Sequence, residues 1–560
     1  MSRATQYRGA RGKYSPILIE VLKNRGIENE KEIERFLNPS YEEDLYEPFL
    51  LPDIKKILAR IYKAQKNNEK VVVYGDFDVD GITATTLLFE ALEKVGIKAD
   101  YYLPDRIKEG YGLNKKALLE ISKKASLVIT VDCGIRDTEA VSFAKKLGLD
   151  VIITDHHEPG EELPKGVAVV DPKIEKSQYP ERNLTAGALV FKIINALLKD
   201  ERFKACFQKG EEKWLLDLVA LATIADSVPL LDENRVLTKY GLLVLGKTRR
   251  LGLQALMNVA GIDRRKITSE AVSFNLSPRL NVAGRLSHAD SAFQLLRTSS
   301  YKKALLLARE LDKMNLERQR LAEAALGEAL NQVEKGKGQK FLFTASPDWH
   351  RGIVGIIAGK LADNFSRPAL AIEKGRKMCF GSARGCGEID VIALLKKCED
   401  LLIQFGGHRG AAGFSLLTKD IETLKKRLQK EAASLKITDL KETLEIDTEV
   451  GGEDLTLDLT SELEKLEPFG EANPEPVFLS RNFEIIEKRV VGVEQNHLWL
   501  RLRPPFSKGM IFKAIGFKMA DRENEISPGA KIDLVFNLRV NEFNGFKNLD
   551  LIIIDFRISK

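Results

Sequence analysis

Three short apolar runs, separated by helix-like stretches, organise the first third of the chain. The runs are Val71–Tyr74, Leu127–Val131 and Val151–Thr154, and Thr83–Val95 and Ala140–Leu147 between them carry helical patterning. Alternating strands and helices are typical of a parallel sheet with crossover helices. Strands that are apolar throughout indicate that helices cover both faces of the sheet. The pattern therefore predicts an α/β domain built on a parallel sheet.

The pattern changes several times along the rest of the chain. Short amphipathic helices broken by Gly26 and Pro39 precede the sheet, and a helical middle includes a long charged helix from Lys302 to Val333. Mixed strands and helices follow, and the many short β-prone runs beyond them favour a small barrel. We predict a linker at Gly336–Gly338 and five segments. They are an N-terminal helical segment (1–69), the parallel-sheet domain (70–235), a helical connector (236–335), a smaller α/β domain (336–440) and a C-terminal β-barrel (441–560).

Composition narrows the class of protein. A chain of 560 residues, 44% hydrophobic and 30% charged, is typical of a multi-domain globular protein. No apolar run is long enough to span a bilayer and no secretory signal begins the sequence, so we expect a cytoplasmic protein without membrane contact. The net charge of +6 is a weak indication of an anionic partner. The five cysteines form no CxxC pair, which argues against a zinc ribbon or a disulfide framework.

Acidic side chains follow each of the three predicted strands. They are Asp76, Asp78 and Asp80 after the first strand, Asp132 after the second, Asp155 after the third, and Asp226 at the end of a further apolar run that begins at Leu215 and that we interpret as a fourth strand. Ligand sites of open parallel sheets lie beyond the carboxyl ends of the strands. We therefore expect these carboxylates to meet at one edge of the sheet.

Carboxylates crowded together are costly unless a cation neutralises them. We predict that Asp78 and Asp80 lie in a loop of extended backbone, where alternate side chains share a face and can bind one ion. Oxygen ligands suit Mg²⁺ or Mn²⁺, and the adjacent His156 and His157 shift the preference toward Mn²⁺. Any single Asp could instead cap a helix or shape a turn. The whole set favours a centre with two divalent ions, a common arrangement for hydrolysing phosphate esters.

A series of motifs resembles a known superfamily. In chain order they are Tyr74–Gly81, Pro104–Arg106 with Glu109–Leu113, Val131–Gly134, Asp155–His157, Pro278–Arg285, Trp349–Gly355, Gly406–His408 with Ala411–Gly413, and Pro468–Gly470 with Asn473–Pro476. They resemble the DHH phosphoesterase superfamily and, over nearly the whole chain, its branch of bacterial single-strand-specific 5′→3′ exonucleases. The resemblance implies a DHH domain at 70–235, a DHHA1 domain at 336–440 and a nucleic-acid-binding OB-fold at 441–560.

The same resemblance implies roles for individual residues. The implied metal ligands are Asp78, Asp80, Asp132, His156 and Asp226, with Asp132 as the bridge between two ions. The implied catalytic or supporting groups are Asp76, Asp155, His157 and Arg279. The implied phosphate-binding residues are Arg106, Asn281, Arg285, Ser382, Arg384 and His408, of which Arg106, Ser382 and Arg384 would line a pocket for a 5′-terminal phosphate. Surface salt bridges are the alternative for Arg279 and Arg285, which we place in a loop, and a structural role in a glycine-rich turn is the alternative for His408.

The expected function is a single-stranded-DNA-specific exonuclease that uses two Mn²⁺ or Mg²⁺ ions to release mononucleotides from the 5′ end, in DNA recombination and repair. The expected partners are single-stranded DNA, a helicase and a single-strand-binding protein, and the expected state is a monomer. Two alternatives stay open: an oligonucleotide phosphodiesterase of the same superfamily, and a non-catalytic replication factor that binds single strands. The length of the chain argues against the first, and its full set of implied ligands argues against the second.

The barrel offers candidate contacts for a single strand. OB-folds bind such strands through a basic groove and stacking aromatics. The candidates are Phe478, Phe483, Trp499 and Phe543 for stacking, and Lys488, Arg489, Arg501 and Arg503 for the groove. The alternative is that most of these aromatics fill the barrel. Asp171 and Arg409 depart from the superfamily pattern, which leaves the local fit to substrate open.

Overall fold

The structure is a computed structural model that describes residues 13–335, 339–387, 389–433, 444–506, 509–543 and 545–559. The predicted linker at 336–338 lies outside these residues, as does the side chain of Phe543. Within the described ranges, no helix has the length and apolar character needed to cross a membrane.

Helices and strands are mixed in the first and second domains, whereas the connector between them is helical and the C-terminal unit is mostly strands. The helices are α1 (Pro16–Asn24), α2 (Glu30–Leu37), α3 (Ile54–Lys66), α4 (Val79–Lys94), α5 (Lys115–Ser122), α6 (Thr138–Lys146), α7 (Ala186–Lys199), α8 (Leu216–Ala225), α9 (Asp232–Gly246), α10 (Leu251–Val259), α11 (Ser269–Ala271), α12 (Ser277–Leu286), α13 (Asp290–Arg297), α14 (Tyr301–Lys335), α15 (Val354–Phe365), α16 (Val391–Lys396), α17 (Ile421–Ala433) and α18 (Leu457–Leu463). The strands are β1 (Val71–Tyr74), β2 (Ala99–Tyr102), β3 (Leu127–Val131), β4 (Asp150–Thr154), β5 (Ala168–Val170), β6 (Leu342–Ser346), β7 (Ala369–Lys374), β8 (Met378–Arg384), β9 (Leu402–His408), β10 (Ala411–Leu417), β11 (Thr448–Glu449), β12 (Phe478–Val491), β13 (His497–Arg503), β14 (Phe512–Gly516), β15 (Lys531–Phe543) and β16 (Phe546–Ile558).

The first sheet is parallel throughout, in the order β2-β1-β3-β4-β5. Its central strands are buried because α4, α7 and α8 pack on one face and α5 and α6 on the other. The prediction of a parallel sheet with helices on both faces is therefore confirmed. The pattern did not reveal β2, a half-exposed edge strand, or β5, which has only three residues.

Three local predictions near the sheet were wrong. Helix α4 begins at Val79 rather than Thr83, so Asp80 lies in a helical first turn and not in an extended loop. The apolar run before Asp226 is the helix α8, which is buried on every side and so lacks the periodicity that separates helix from strand. The stretch around Arg279 is the helix α12 rather than a loop, because a proline is tolerated in a first helical turn.

The second domain is the smaller α/β unit that the pattern predicts. Its sheet has the order β6-β7-β8-β10-β9, with β6 and β7 parallel and the later strands antiparallel. Helix α15 and the end of α14 pack on one face, and α16 and α17 pack on the other. The long helix α14 joins this domain to the first one, as predicted.

The C-terminal unit is a closed barrel. Strands β12-β13-β14-β16-β15 form a ring that closes through pairing of β12 with β15, and β11 adds to β12. Phe478 and Phe483 are fully buried inside it, as the alternative interpretation expected, so they fill the barrel rather than stack on bases. The N-terminal helices divide between two cores: Leu18 of α1 and Phe36 of α2 pack in the barrel core, whereas α3 packs against the first sheet.

Candidate active site

The turn after β1 positions the first acids of the site. Asp78 caps α4 by accepting a hydrogen bond from the Gly81 amide at 3.1 Å. A Cβ atom at Gly81 would lie 2.7 Å from the Cα atom of Asp76, so only glycine allows this close approach. The amide of Val79 donates to the side-chain oxygen of Asn281 at 3.0 Å, which ties the turn to α12. The turn is thus fixed from two sides.

Asp80 is held by a neighbouring helix. Its two carboxylate oxygens accept hydrogen bonds from the amides of Ala186 and Gly187, both at 2.7 Å, at the N-terminus of α7. A helix N-terminus favours negative charge. Burial and the nearby Asp226 nevertheless raise the pKa of Asp80 well above its usual value.

His156 lies at the centre of the acidic cluster. Its Nε2 atom is 3.0 Å from Oδ1 of Asp132, 3.6 Å from Oδ2 of Asp80 and 3.8 Å from Oδ2 of Asp226. Asp132 has a positive φ of 66°, a conformation that non-glycine residues seldom adopt and that often marks a functional site. Burial lowers the pKa of His156 to about 3, so its ring is neutral and can act as a ligand.

Asp155 orients both histidines. Its Oδ1 atom accepts from the His156 amide at 2.8 Å and lies 2.8 Å from Nδ1 of His157, while Oδ2 accepts from the Ile135 amide. Burial opposes ionisation of Asp155, but the bond to His157 outweighs it and lowers the pKa of Asp155. Burial also opposes protonation of His157, yet the bond to Asp155 raises the pKa of His157 to about 9. His157 is therefore a cation beside the acids at neutral pH.

The cluster has the properties of a site for divalent cations. Burial, followed by repulsion between the carboxylates, raises the pKa values of Asp76 and Asp132 well above normal, and burial and Asp78 raise that of Asp226 to about 7. Oδ1 of Asp76 is buried without a hydrogen-bond partner in the described structure. Ligand atoms lie within 4.8 Å of one another in three overlapping groups. The groups are Asp132–His156–His157, Asp80–His156–Asp226 and Asp76–Asp78–Asp132. Oxygen acceptors with one neutral imidazole fit Mn²⁺ or Mg²⁺.

Arginines face the acids across a cleft. Among the described residues, no ion pair engages Arg285, Arg318 or Arg384. Burial, with repulsion from Arg106 and Arg318, lowers the pKa of Arg285 to about 10. Arg285 and Arg318 line a cleft of about 320 Å³ that also contains Asn281. Partly buried guanidinium groups without acidic partners are suited to bind phosphate.

A second group of polar residues lies on the second domain. Ser382 and Arg384 alternate along β8 and so share a face. A Cβ atom at Gly355, in the first turn of α15, would lie 3.4 Å from Oγ of Ser382 and 3.6 Å from Nη2 of Arg384. Arg351 stacks on a neighbouring ring and donates to the carbonyl of Ile107 at 2.7 Å, which holds the segment after Arg106 against this domain. Because residue 355 is a glycine, the first turn of α15 lies close to these two polar groups.

Three of the predicted site residues have other contacts within the protein. Arg279 forms a salt bridge with Asp312, with Nε 2.9 Å from Oδ1, as the alternative interpretation expected. Asn281 uses its oxygen to hold the turn after β1. His408 is exposed at the end of β9, and its Nδ1 atom accepts a hydrogen bond from the Gly410 amide at 3.3 Å. Partial desolvation, followed by the nearby charges of Arg384 and His157, lowers the pKa of His408.

Two residues in the site were not predicted. The Tyr111 hydroxyl donates to the carbonyl of Asp132 at 3.1 Å and lies 3.0 Å from Nδ1 of His157. Tyr111 lies in the motif Glu109–Leu113, which contributes to the resemblance, but the sequence alone assigned it no role. Arg318 gave no signal, because a charge on a long amphipathic helix resembles an ordinary solvated face.

Comparisons with known proteins agree with this architecture. The chain matches the DHH family, N-terminal domain over residues 70–223, the DHHA1 domain over 338–434 and the RecJ OB domain over 446–555. The single-stranded-DNA-specific exonuclease RecJ of Bacillus subtilis is 38% identical over 552 residues, which is 98% of this chain and 68% of that protein.

Solved structures of RecJ proteins are also similar to this chain over nearly its whole length. RecJ of Thermus thermophilus in complex with Mn²⁺ superimposes with a TM-score of 0.82 at 28% identity, covering 97% of this chain and 76% of the other. The same protein with Mg²⁺ superimposes with a TM-score of 0.77 at 27% identity, covering 97% and 75%. The chain belongs to the RecJ family of single-stranded-DNA-specific exonucleases, within the DHH superfamily.

Proposed function

We propose that this protein is a metal-dependent exodeoxyribonuclease that degrades single-stranded DNA from the 5′ end and releases mononucleotides. The observation that carries the proposal is the buried cluster of acids around His156, opposite arginines that have no acidic partner in the described structure. The acids are suited to bind metal cations, and the arginines are suited to bind the phosphate groups of a substrate. The family membership supports the same substrate and the same ions, Mn²⁺ or Mg²⁺.

The ligands in this proposal are Asp78, Asp80, Asp132, His156 and Asp226. When bound, two divalent cations lower the pKa of a water molecule and neutralise charge that develops on the phosphate. The chain orients the ligands: α7 holds Asp80, and Asp155 orients the imidazole of His156 through its backbone amide. Asp132 reaches toward two of the ligand groups because of its left-handed backbone, which suits a bridging position.

The remaining polar groups act on the phosphate. His157 is protonated at neutral pH and lies beside Asp132, so it places a positive charge and a proton donor at the cut. Arg285 binds the phosphate from the opposite wall, and Asp76 supports the turn that carries Asp78. Arg279 fixes α12 against α14 through Asp312 and thereby positions Arg285.

The pocket beside Gly355 explains the 5′ direction in this proposal. Arg106, Ser382 and Arg384 bind the terminal phosphate, and the N-terminus of α15 adds backbone donors. A terminal phosphate bound at a fixed distance from the cluster defines which bond is cut. His408, which the charge of Arg384 influences, adds a further polar group on this side.

The barrel binds the strand behind the cut. Trp499 is half-buried with Arg489 over its ring, a surface on which a base can stack. All four cations of the predicted basic groove have acidic partners: Lys488 pairs with Glu523, Arg489 and Arg501 with Glu487, and Arg503 with Glu484. The proposal includes a monomer in the cytoplasm that acts in recombination and repair beside a helicase and a single-strand-binding protein.

A strand-degradation assay tests the proposal. With Mn²⁺ or Mg²⁺, a 5′-labelled single strand should lose its label at once as a mononucleotide, whereas a 3′-labelled strand should shorten progressively. A preference for short oligonucleotides would favour a phosphodiesterase of the superfamily. Binding without cleavage would favour a replication factor, and either result would contradict the proposed activity.

Tyr111→Phe should slow strand degradation by about tenfold, because loss of an outer contact to a metal site has effects of about that size. The substitution removes only the hydroxyl that contacts the Asp132 carbonyl and His157. The measurement is kcat as a function of Mn²⁺ concentration. Tyr102→Phe is the matched control, because its hydroxyl contacts Glu109 outside the cluster and its loss should leave kcat unchanged. Equal effects in both variants would remove Tyr111 from the site.

A further inference from the structure

We propose that Arg235 is a positioning residue that fixes the barrel on the catalytic domain, so that a long strand held by the barrel is delivered to the acid cluster. This inference rests on the proposed function. It assigns a role to the Pro468–Gly470 motif, which lies far from the cluster in sequence and takes no part in the chemistry described above.

The side chain of Arg235 is fully buried where the first domain meets the barrel unit. Its Nε atom donates to the carbonyl of Phe36 at 2.7 Å, and its Nη1 atom donates to the carbonyl of Leu466 at 2.8 Å. Its Nη2 atom donates to the carbonyls of Lys465 and Glu467 at 3.0 and 2.9 Å. One side chain on α9 therefore holds α2 and the segment that leads into the barrel.

This arrangement is costly in free energy. Burial lowers the pKa of Arg235 to about 9, and no carboxylate in the described structure forms an ion pair with it. A buried charge without a counter-charge destabilises the fold, and apolar side chains would seal the same interface at lower cost. What guanidinium adds is direction, because its planar fork satisfies several carbonyls only in one orientation of the loop.

Further contacts support the same loop. The amide of Leu230 donates to the carbonyl of Glu471 at 2.9 Å, and the hydroxyl of Ser269 donates to the carbonyl of Phe469. A Cβ atom at Gly470 would lie 2.7 Å from the side chain of Leu230, so the loop packs directly on the first domain. Residues 465–471 therefore form a docking loop, which contacts Leu230 and Ser269 of the first domain in addition to Arg235.

Helix α9, which carries Arg235, also contacts α7 of the active site. Asn234, the residue before Arg235, donates to the carbonyl of Asn183 at 2.9 Å, just before α7. Glu233 is bonded to Lys192 in the middle of α7. The N-terminus of α7 holds Asp80. The first turn of α9 thus fixes the barrel and a predicted metal ligand to the same helix, and so sets the distance between them.

A fixed distance matters only for substrates that occupy both sites. Two linked binding sites gain a high effective concentration when their geometry allows simultaneous binding, and lose it when the geometry changes. Arg235→Lys keeps the charge but cannot reach four carbonyls. We expect KM for a strand of about 40 nucleotides to rise about tenfold or more, with kcat on a pentanucleotide unchanged.

The control is Arg250→Lys, a buried arginine that pairs with Glu90 and Asp217 within the first domain. It should lower thermal stability without changing the ratio of KM values for long and short strands. If Arg235→Lys does not fold, the double variant Ser269→Ala with Gly470→Ala disrupts other contacts of the same loop. It should also raise the ratio of KM for the long strand to KM for the short strand.

Equal loss of activity on long and short substrates, or an unchanged ratio in the folded variants, would overturn the proposal. Failure of the proposed function is distinguishable, because the unmodified protein would then degrade neither substrate.

Discussion

Asp132→Asn should lower the rate of strand degradation by about a thousandfold or more, the largest effect that we expect from a single substitution. Asp132 contributes to two of the three groups of ligand atoms and lies 3.0 Å from His156. An amide has nearly the same shape but cannot supply a negative charge to two cations. Degradation of a single strand at saturating Mn²⁺ measures the loss.

The same substitution should stabilise the metal-free protein. Burial and repulsion from Asp80 and Asp78 raise the pKa of Asp132 well above its usual value. Above the ordinary pKa of an aspartate, unfolding therefore releases a proton, and the carboxylate destabilises the fold increasingly as pH rises. In a chelator at pH 8, Asp132→Asn should have the higher melting temperature.

Mn²⁺ should reverse this order of stability. A ligand present at a hundred times its dissociation constant adds about 2.7 kcal/mol to the free energy of unfolding. The unmodified protein should gain that stability, and Asp132→Asn should gain much less.

Asp217→Asn is the matched control for a buried acid. Asp217 is fully buried, but its neighbour is the cation Arg250, whereas Asp132 is surrounded by other acids. Asp217→Asn should therefore lower the melting temperature in chelator and leave the stabilisation by Mn²⁺ unchanged. Full activity of Asp132→Asn, or an unchanged Mn²⁺ response, would show that the cluster is not the catalytic metal site.

Arg384→Ala should reduce degradation of 5′-phosphorylated strands by about 30-fold, since a hydrogen bond to a charged group contributes about 2 kcal/mol. Strands with a 5′-hydroxyl should be degraded at nearly the rate of the unmodified protein, because they present no charge to this pocket. The ratio of kcat/KM for the two strands measures the effect and cancels any general loss of stability.

Gly355→Ala tests the same pocket by filling it. The added methyl group would contact Ser382 and Arg384 without removing either one. Gly355→Ala should lower the ratio of kcat/KM for 5′-phosphorylated strands to kcat/KM for 5′-hydroxyl strands. Gly359→Ala, on the same helix but with open space around the position, should leave this ratio unchanged. A ratio that stays constant in Arg384→Ala and Gly355→Ala would place the terminal phosphate elsewhere.

Much of the fold could be predicted because burial leaves a clear pattern. Strands β1, β3 and β4 are apolar at nearly every position, and α14 keeps its amphipathic pattern over its full length. Helix α8 could not be recognised, because a helix buried on all sides has no polar face. Strand β2 is half-exposed at an edge, where the signal of burial is weak.

The acids of the site could be predicted to meet, but their local geometry could not. Parallel strands bring Asp132 and Asp155 to one edge by topology alone. The conformation of Asp80 depends on the N-terminus of α7, which is distant along the chain, and no local pattern contains that contact. Arg318 reaches the cleft only because α14 crosses α12, so its role follows from packing rather than from sequence.

The sharing of one core by α1, α2 and the barrel has a consequence for synthesis. Leu18 and Phe36 belong to the same hydrophobic core as Ile553 of β16, so α1 and α2 leave the ribosome long before that strand does. At about 5–20 residues per second, that interval lasts about 30–100 s. During it, the barrel surface that covers the apolar faces of both helices is not yet present. The barrel unit can close only after β16 has been synthesised, and until then the exposed apolar faces favour aggregation.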